Sequence, residues 1–198
     1  MNILIDSLPK TIRIDNENYE INSDFRTYIL FELLMQDIEI KDEEKLIQAL
    51  QLCYIKCPHN IQEGINKMLW FYSCGKESDL NYSNKISSTT KQIYDFDYDA
   101  EYIYSAFLDQ YGIDLNDIEY LHWWKFKAMF KSLKEDNEIV KIMGYRSIDL
   151  SKIEDKQQKN FYKRMKKIHN IPKEKNERKM LNKIEEVLLN GGDLSTIL

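Results

Sequence analysis

The sequence predicts a mainly α-helical protein with a single β-hairpin near its N-terminus. Three observations carry this. Only six Gly and three Pro occur in 198 residues, too few for the many turns of an all-β sandwich. Hydrophobic residues make up 43% of the chain, enough to fill a core. Strict alternation of polar and apolar residues is confined to a short stretch before residue 22, and elsewhere the apolar residues recur at helical spacing between capping residues.

Thr11-Ile12-Arg13-Ile14 alternates, Asp15-Asn16-Glu17-Asn18 supplies turn chemistry, and Tyr19-Glu20-Ile21 alternates again. This is the hairpin. Ser23-Asp24 then caps a helix to about Gln36, with Phe25, Tyr28, Ile29, Leu33 and Met35 as apolar members. A second helix fits Asp42 to Tyr54. Pro58 suits the first turn of a third, which ends near Gly75.

From Lys76 to Gln92 the stretch KESDLNYSNKISSTTKQ is polar and rich in Ser, Thr and Asn. It is expected to be a flexible linker. The expected division is therefore a hairpin-plus-helix part at 1–75, a linker at 76–92 and a helical domain at 93–198.

Periodicity returns at Ile93. A helix enters near Asp99 and stops at Gly112; Asn116 or Asp117 is expected to cap the next one. Ile142–Arg146 is expected to be a turn. Ser151 with Glu154 makes a capping box for a helix to about His169, with Pro172 after its end. A last helix is expected from Glu174 to Leu189, ended by Gly191-Gly192.

Charge is uneven. The net charge is −5, yet residues 151–189 hold twelve Lys/Arg against six Asp/Glu, a balance of +6 that leaves −11 for the rest. The basic third can fold on the acidic body or meet an acidic partner. The overall negative charge counts against a dedicated nucleic-acid binder. The start MNILIDSLPK lacks a basic region followed by an apolar run, so no signal peptide is expected. No apolar stretch approaches the roughly 20 residues that span a bilayer. Three cysteines without a secretory signal suit a reduced compartment.

The stretch YLHWWKFKAMFKSLK, residues 120–134, asks for the most explanation. Lys127, Lys131 and Lys134 share one helix face; Leu121, Trp124, Ala128 and Met129 share another. Tyr120, Trp123 and Phe130 widen the apolar arc beyond what one surface contact needs. A core helix is the first reading, a protein-binding surface the second, and a base-stacking platform the third. The lysines point away from most of the rings, which counts against stacking.

Other constellations are weaker. DFDYDAEY, residues 95–102, resembles the start of a calcium loop, but Ala100 and Ala106 stand where Gly and Glu are required. Acids leading into a helix N-terminus explain it more simply. Cys53, Cys57, His59 and Cys74 lack a second closely spaced pair, so no zinc site is expected. His122 and His169 have no nucleophile motif near them, and no catalytic or phosphate-binding motif occurs. No enzyme, cofactor or metal is therefore expected. Lys156, Lys159, Lys163 and Lys166 line one helix face opposite Phe161, Met165 and Ile168.

YDFDYDAEYIYSAFLDQYGIDL, LHWWKFKAMFKSL, IMGYRSIDLSKI and the closing NGGDLSTIL resemble the gene-product-fifteen family of long-tailed phages and prophages of Gram-positive bacteria. LPKTIRIDNENYEINSDFRTYILFE fits its opening. The likeness covers nearly the whole chain outside 76–92. It implies a role in tail morphogenesis, as a tail assembly chaperone that coats the tape measure protein and helps recruit tube subunits. The tape measure protein is then the expected partner and the major tail protein a second, with self-association open and the host cell cytoplasm as the place of action. A structural or adaptor component of the virion tail and a nucleic-acid-binding regulator are the alternatives. The resemblance supplies no catalytic residues. The expected contact surface is the arc around Trp123, Phe126 and Phe130 together with the stripe Lys156, Lys159 and Lys163.

Overall fold

Asp15 and Asn16 both take positive φ, at 47° and 69°. Short polar side chains tolerate this conformation, and two such residues in succession make the tight turn whose twist suits a hairpin. The flanking strands are β1 (Thr11–Ile14) and β2 (Glu17–Glu20), antiparallel with Ile14 opposite Glu17 and Ile12 opposite Tyr19. Ile12, Ile14 and Tyr19 all point to one face, and that face is buried. The computed structural model describes residues 2–76 and 92–172. The linker expected at 76–92 and the helix expected at 174–189 fall almost wholly outside them.

After the hairpin the chain runs through α1 (Phe25–Gln36), α2 (Asp42–Cys53) and α3 (Ile61–Tyr72). Asp24 caps α1 by accepting from the Arg26 amide at 3.0 Å. Asn60 caps α3 by accepting from the Glu63 amide at 3.1 Å. Pro58 therefore lies before α3 and not in its first turn. It is buried beside Gly64, where an added Cβ would come within 3.1 Å of the proline ring. Gly75 closes the region after α3 at φ 73°, and a side chain there would run into the Trp124 ring at 2.8 Å.

Beyond residue 91 come α4 (Ala100–Tyr111), α5 (Trp123–Lys131), α6 (Glu138–Ser147), a short 3-10 turn at Leu150–Lys152 and α7 (Lys156–Ile168). Asp95 and Asp99 prepare α4 reciprocally: Asp95 accepts from the amides of Asp97 and Tyr98, and Asp99 accepts from the amide of Asp95. This is capping logic in a buried turn. Gly112 ends α4 in the left-handed conformation.

Three expectations are corrected. The helix after Gly112 does not begin at Asn116 or Asp117. Asp114 accepts from the Asn116 amide and the Tyr104 hydroxyl, and the Arg26 guanidinium binds the carbonyls of Leu115 and Ile118 at 2.8 and 2.7 Å. Those bonds hold 113–119 in turns, and α5 starts only at Trp123. Residues 142–146 are not a turn but lie within α6, where Gly144 is tolerated. Ser151 and Glu154 do not cap α7. Asp149 takes the Ser151 amide and hydroxyl, while Asp155 caps α7 through the Gln158 amide.

The described residues form two compact units, one reaching Lys141 and one starting at Ile142. The first takes elements from both sides of 77–91. The two sides are joined by backbone pairing where Asp24 bridges to His122, while Ile21 bridges to Tyr54 within the N-terminal side. The Phe25 amide donates to the Leu121 carbonyl at 2.9 Å and the Trp123 amide to the Ser23 carbonyl at 2.8 Å. α1 consequently packs on α2 and on α5, and α2 on α3.

Candidate functional site

The first unit's core is built of aromatic rings centred on α5. Trp123 and Phe126 are 0% exposed and Phe130 is 6% exposed. Trp123 stacks on Tyr28 at 5.3 Å and donates its indole N–H to the Tyr72 carbonyl at 2.9 Å. Phe126 lies between Phe25 and Phe107, each 4.9 Å away. Phe130 meets Tyr94 at 5.2 Å. Trp124 donates to the Phe71 carbonyl at 2.7 Å. The surface expected around Trp123, Phe126 and Phe130 is thus corrected to core. The apolar arc is wide because α5 has neighbours on several sides, and an indole N–H buried among them needs a carbonyl partner. Lys156, Lys159 and Lys163 are exposed along α7 in the second unit. α7 has no buried residue.

His122 sits at the head of α5. Its Nδ1 accepts from the Trp124 amide at 3.1 Å, and its Nε2 is 3.0 Å from the Pro9 carbonyl. Both bonds are satisfied by the neutral ring with the proton on Nε2. Burial holds the His122 pKa below the usual histidine range, in spite of the Pro9 carbonyl. His169 caps the end of α7, stacked on Tyr145 at 5.7 Å. Cys53 is buried, which pushes its thiol up to about 12. Among the described residues no cluster of His, Cys, Asp or Glu could hold a metal ion. No described helix is long and apolar enough to cross a membrane.

Besides Asp95 and Asp99 in their buried turn, an acid of α1 stands among the aromatic rings. Glu32 on α1 accepts from the Tyr72 hydroxyl at 2.8 Å and the Tyr94 hydroxyl at 3.4 Å. Lys127 on α5 lies 3.6 Å from it, with its ammonium over the Trp123 ring at 4.9 Å. Burial raises the Glu32 pKa, and Lys127 and the tyrosines oppose that rise. Sequence reading passed over Glu32, because a lone glutamate in a helix gives no sign of facing inward. Its position one turn past Tyr28, on the buried stripe, is the available signal.

Glu32 also lines an open groove between α1, α2 and α3, of about 410 Å³. Its apolar lining is Phe31, Met35, Leu46, Ile65, Met68 and Leu69. Leu46 is 39% exposed at its edge. Two unbranched methionines let such a surface adapt to differing side chains. Its α2 edge carries Asp42, Glu43 and Glu44 in the first helical turn. The groove can take apolar side chains presented by a helix, and its polar lining includes the hydrogen-bonded Glu32 and Tyr72.

Residues 4–171 match the family model described as Bacteriophage Gp15 protein. The chain belongs to this family. The match starts before the hairpin and ends past α7, so the Gp15 family pattern includes both units. No curated protein matches the chain, and no solved structure does. Membership makes this Gp15 protein a bacteriophage protein.

Proposed function

We propose that this Gp15 protein is a phage tail assembly chaperone. It acts in the host cytoplasm, holds apolar helical segments of the tape measure protein, and supports tail-tube assembly without catalysing a reaction. The observation that carries the reading is the α1–α2–α3 groove, considered together with family membership. A tape measure is a long helical rod with apolar stretches, and an amphipathic helix laid into an apolar groove is a recurring mode of recognition. Met35, Leu46, Ile65 and Leu69 are the anchoring contacts on this side. Trp123 supports the groove only indirectly, by packing on Tyr28 of α1 and Tyr72 of α3, and Phe126 by packing on Phe25 of α1.

Co-expression with the tape measure protein tests the reading. The tape measure is expected to be soluble and to co-purify with the wild-type chain. It is expected to be lost with Leu46→Asp, whose own fold, read by circular dichroism, stays intact. Equal recovery with Leu46→Asp rejects the groove. An insoluble tape measure with the wild type rejects the chaperone reading. Mass spectrometry of purified particles supplies the other arm, since a chaperone is absent from the finished tail and a structural component is present.

A further inference from the structure

A second groove, of about 500 Å³, opens between α1, α4 and the 113–118 turns. Phe25, Ile29, Phe96, Ile103 and Leu115 make its apolar floor, and Glu101 lies in its wall. The segment that builds most of it, residues 95–120, contains eight Asp/Glu and no Lys or Arg. Asp97 and Asp117 are exposed next to the lining residues Phe96 and Asn116. Arg26, the cation in the lining, is engaged by Asp24 and by the Leu115 and Ile118 carbonyls. It does not neutralise the rim. The groove is therefore apolar at its floor and acidic at its edge.

The chain also carries the complement. α7 holds six Lys/Arg, at 156, 159, 163, 164, 166 and 167, and no acid. Phe161, Met165 and Ile168 recur along its other side at spacings of four and three, which places them on one face. Phe161 is 41% exposed and Ile168 58% exposed. A basic helix with a partly open apolar face suits an acidic-rimmed apolar groove in both respects: apolar side chains enter the floor while lysines meet Glu101 and Asp117.

We propose that the acidic groove of one copy receives the basic helix α7 of a second copy. Such a contact is heterologous, joining two different patches, so a pair of copies keeps one open groove and one open helix and the assembly can extend. Its charge pairs lie at the rim, where they steer association and are screened by salt.

Two variants of the full-length chain test this. Glu101→Lys with Asp117→Lys reverses the groove and leaves α7 intact. Lys159→Glu with Lys163→Glu reverses α7 and leaves the groove intact. Light scattering after size exclusion is expected to show concentration-dependent association of the wild type, weakened at least about tenfold between low and high salt. Each variant alone is expected to be monomeric. An equimolar mixture is expected to associate again, since the helix of each variant meets a groove of opposite charge in the other. A wild type that stays monomeric at low salt overturns the proposal. So do variants that associate like the wild type, or a mixture that remains monomeric while both variants retain the wild-type circular dichroism spectrum.

Discussion

Helices α5 and α7 draw on the same inventory, aromatic rings interleaved with lysines, and they meet opposite surroundings. In α5 the rings lie at 0–6% exposure, each against two or more others. Its Lys127 is drawn in as well, over Trp123 and beside Glu32. In α7 the rings form a small cluster with Tyr145, and Phe161 stays over one-third exposed. The difference lies in the neighbours. α5 follows a segment bonded edge to edge with 23–25, which brings α1 against it. α7 is headed by its own Asp155 cap and, among the described residues, meets the short 3-10 turn and Tyr145. An amphipathic pattern thus states which face is apolar and leaves open how many elements will cover it.

The largest effect expected from this contrast is on stability. Phe126→Ala removes a ring stacked on both sides and is expected to cost about 3–5 kcal/mol, read as a lower urea midpoint. Phe161→Ala on α7 is expected to cost less than about 1 kcal/mol. Equal losses at the two positions would break the comparison.

A smaller effect is expected at the head of α5. Replacing a side-chain cap costs about 1 kcal/mol when nothing substitutes for it, so His122→Ala is expected to lose that much at neutral pH. His122 has a lowered pKa in the fold, so the unfolded chain takes up a proton first. The cap's contribution is full above the unfolded value of about 6.5 and is lost as pH falls below it. His122→Asn keeps an acceptor that does not titrate. Its stability is expected to vary less than the wild type's between neutral and mildly acidic pH.

The smallest effect has the opposite sign. The raised pKa of Glu32 means that the folded chain binds its proton before the unfolded chain does. This group therefore adds relative stability as pH falls through the folded value toward the unfolded one, and withdraws it as pH rises back through the folded value. In Glu32→Gln that slope should disappear. Denaturation curves of the two single variants and the double variant across mildly acidic pH separate the two contributions. An unchanged slope in Glu32→Gln would show that Lys127 and the tyrosines cancel the effect of burial.

Much of the fold was legible in the residues. Alternation at 11–14 and 19–21 marked the hairpin, Asp24 marked the start of α1, and Gly112 marked the end of α4. Each is a local signal carried by the residue that makes the bond or adopts the conformation. The signal failed where a distant partner competed. Arg26 and Asp114 hold residues 113–119 away from helix, and nothing within 113–119 announces Arg26. The expected contact residues divided in the same way. Lys156, Lys159 and Lys163 lie on an exposed face, because a run of lysines without acids has nowhere else to go. Trp123, Phe126 and Phe130 lie in the core, and Glu32, Met35 and Leu46 mark a groove that no local pattern indicated.

The sequence by itself determined the helical class, the hairpin, the start of α1, the end of α4 and the family to which the chain belongs. These depend on spacing, caps and backbone preferences within a few residues of each position. Only the tertiary structure decided which apolar faces are covered and which acids are buried, and it alone revealed the two open grooves. Those outcomes depend on contacts between segments far apart in the chain, such as Ser23 with Trp123 and Glu32 with Lys127. Periodicity within one helix holds no information about the element that will pack against it.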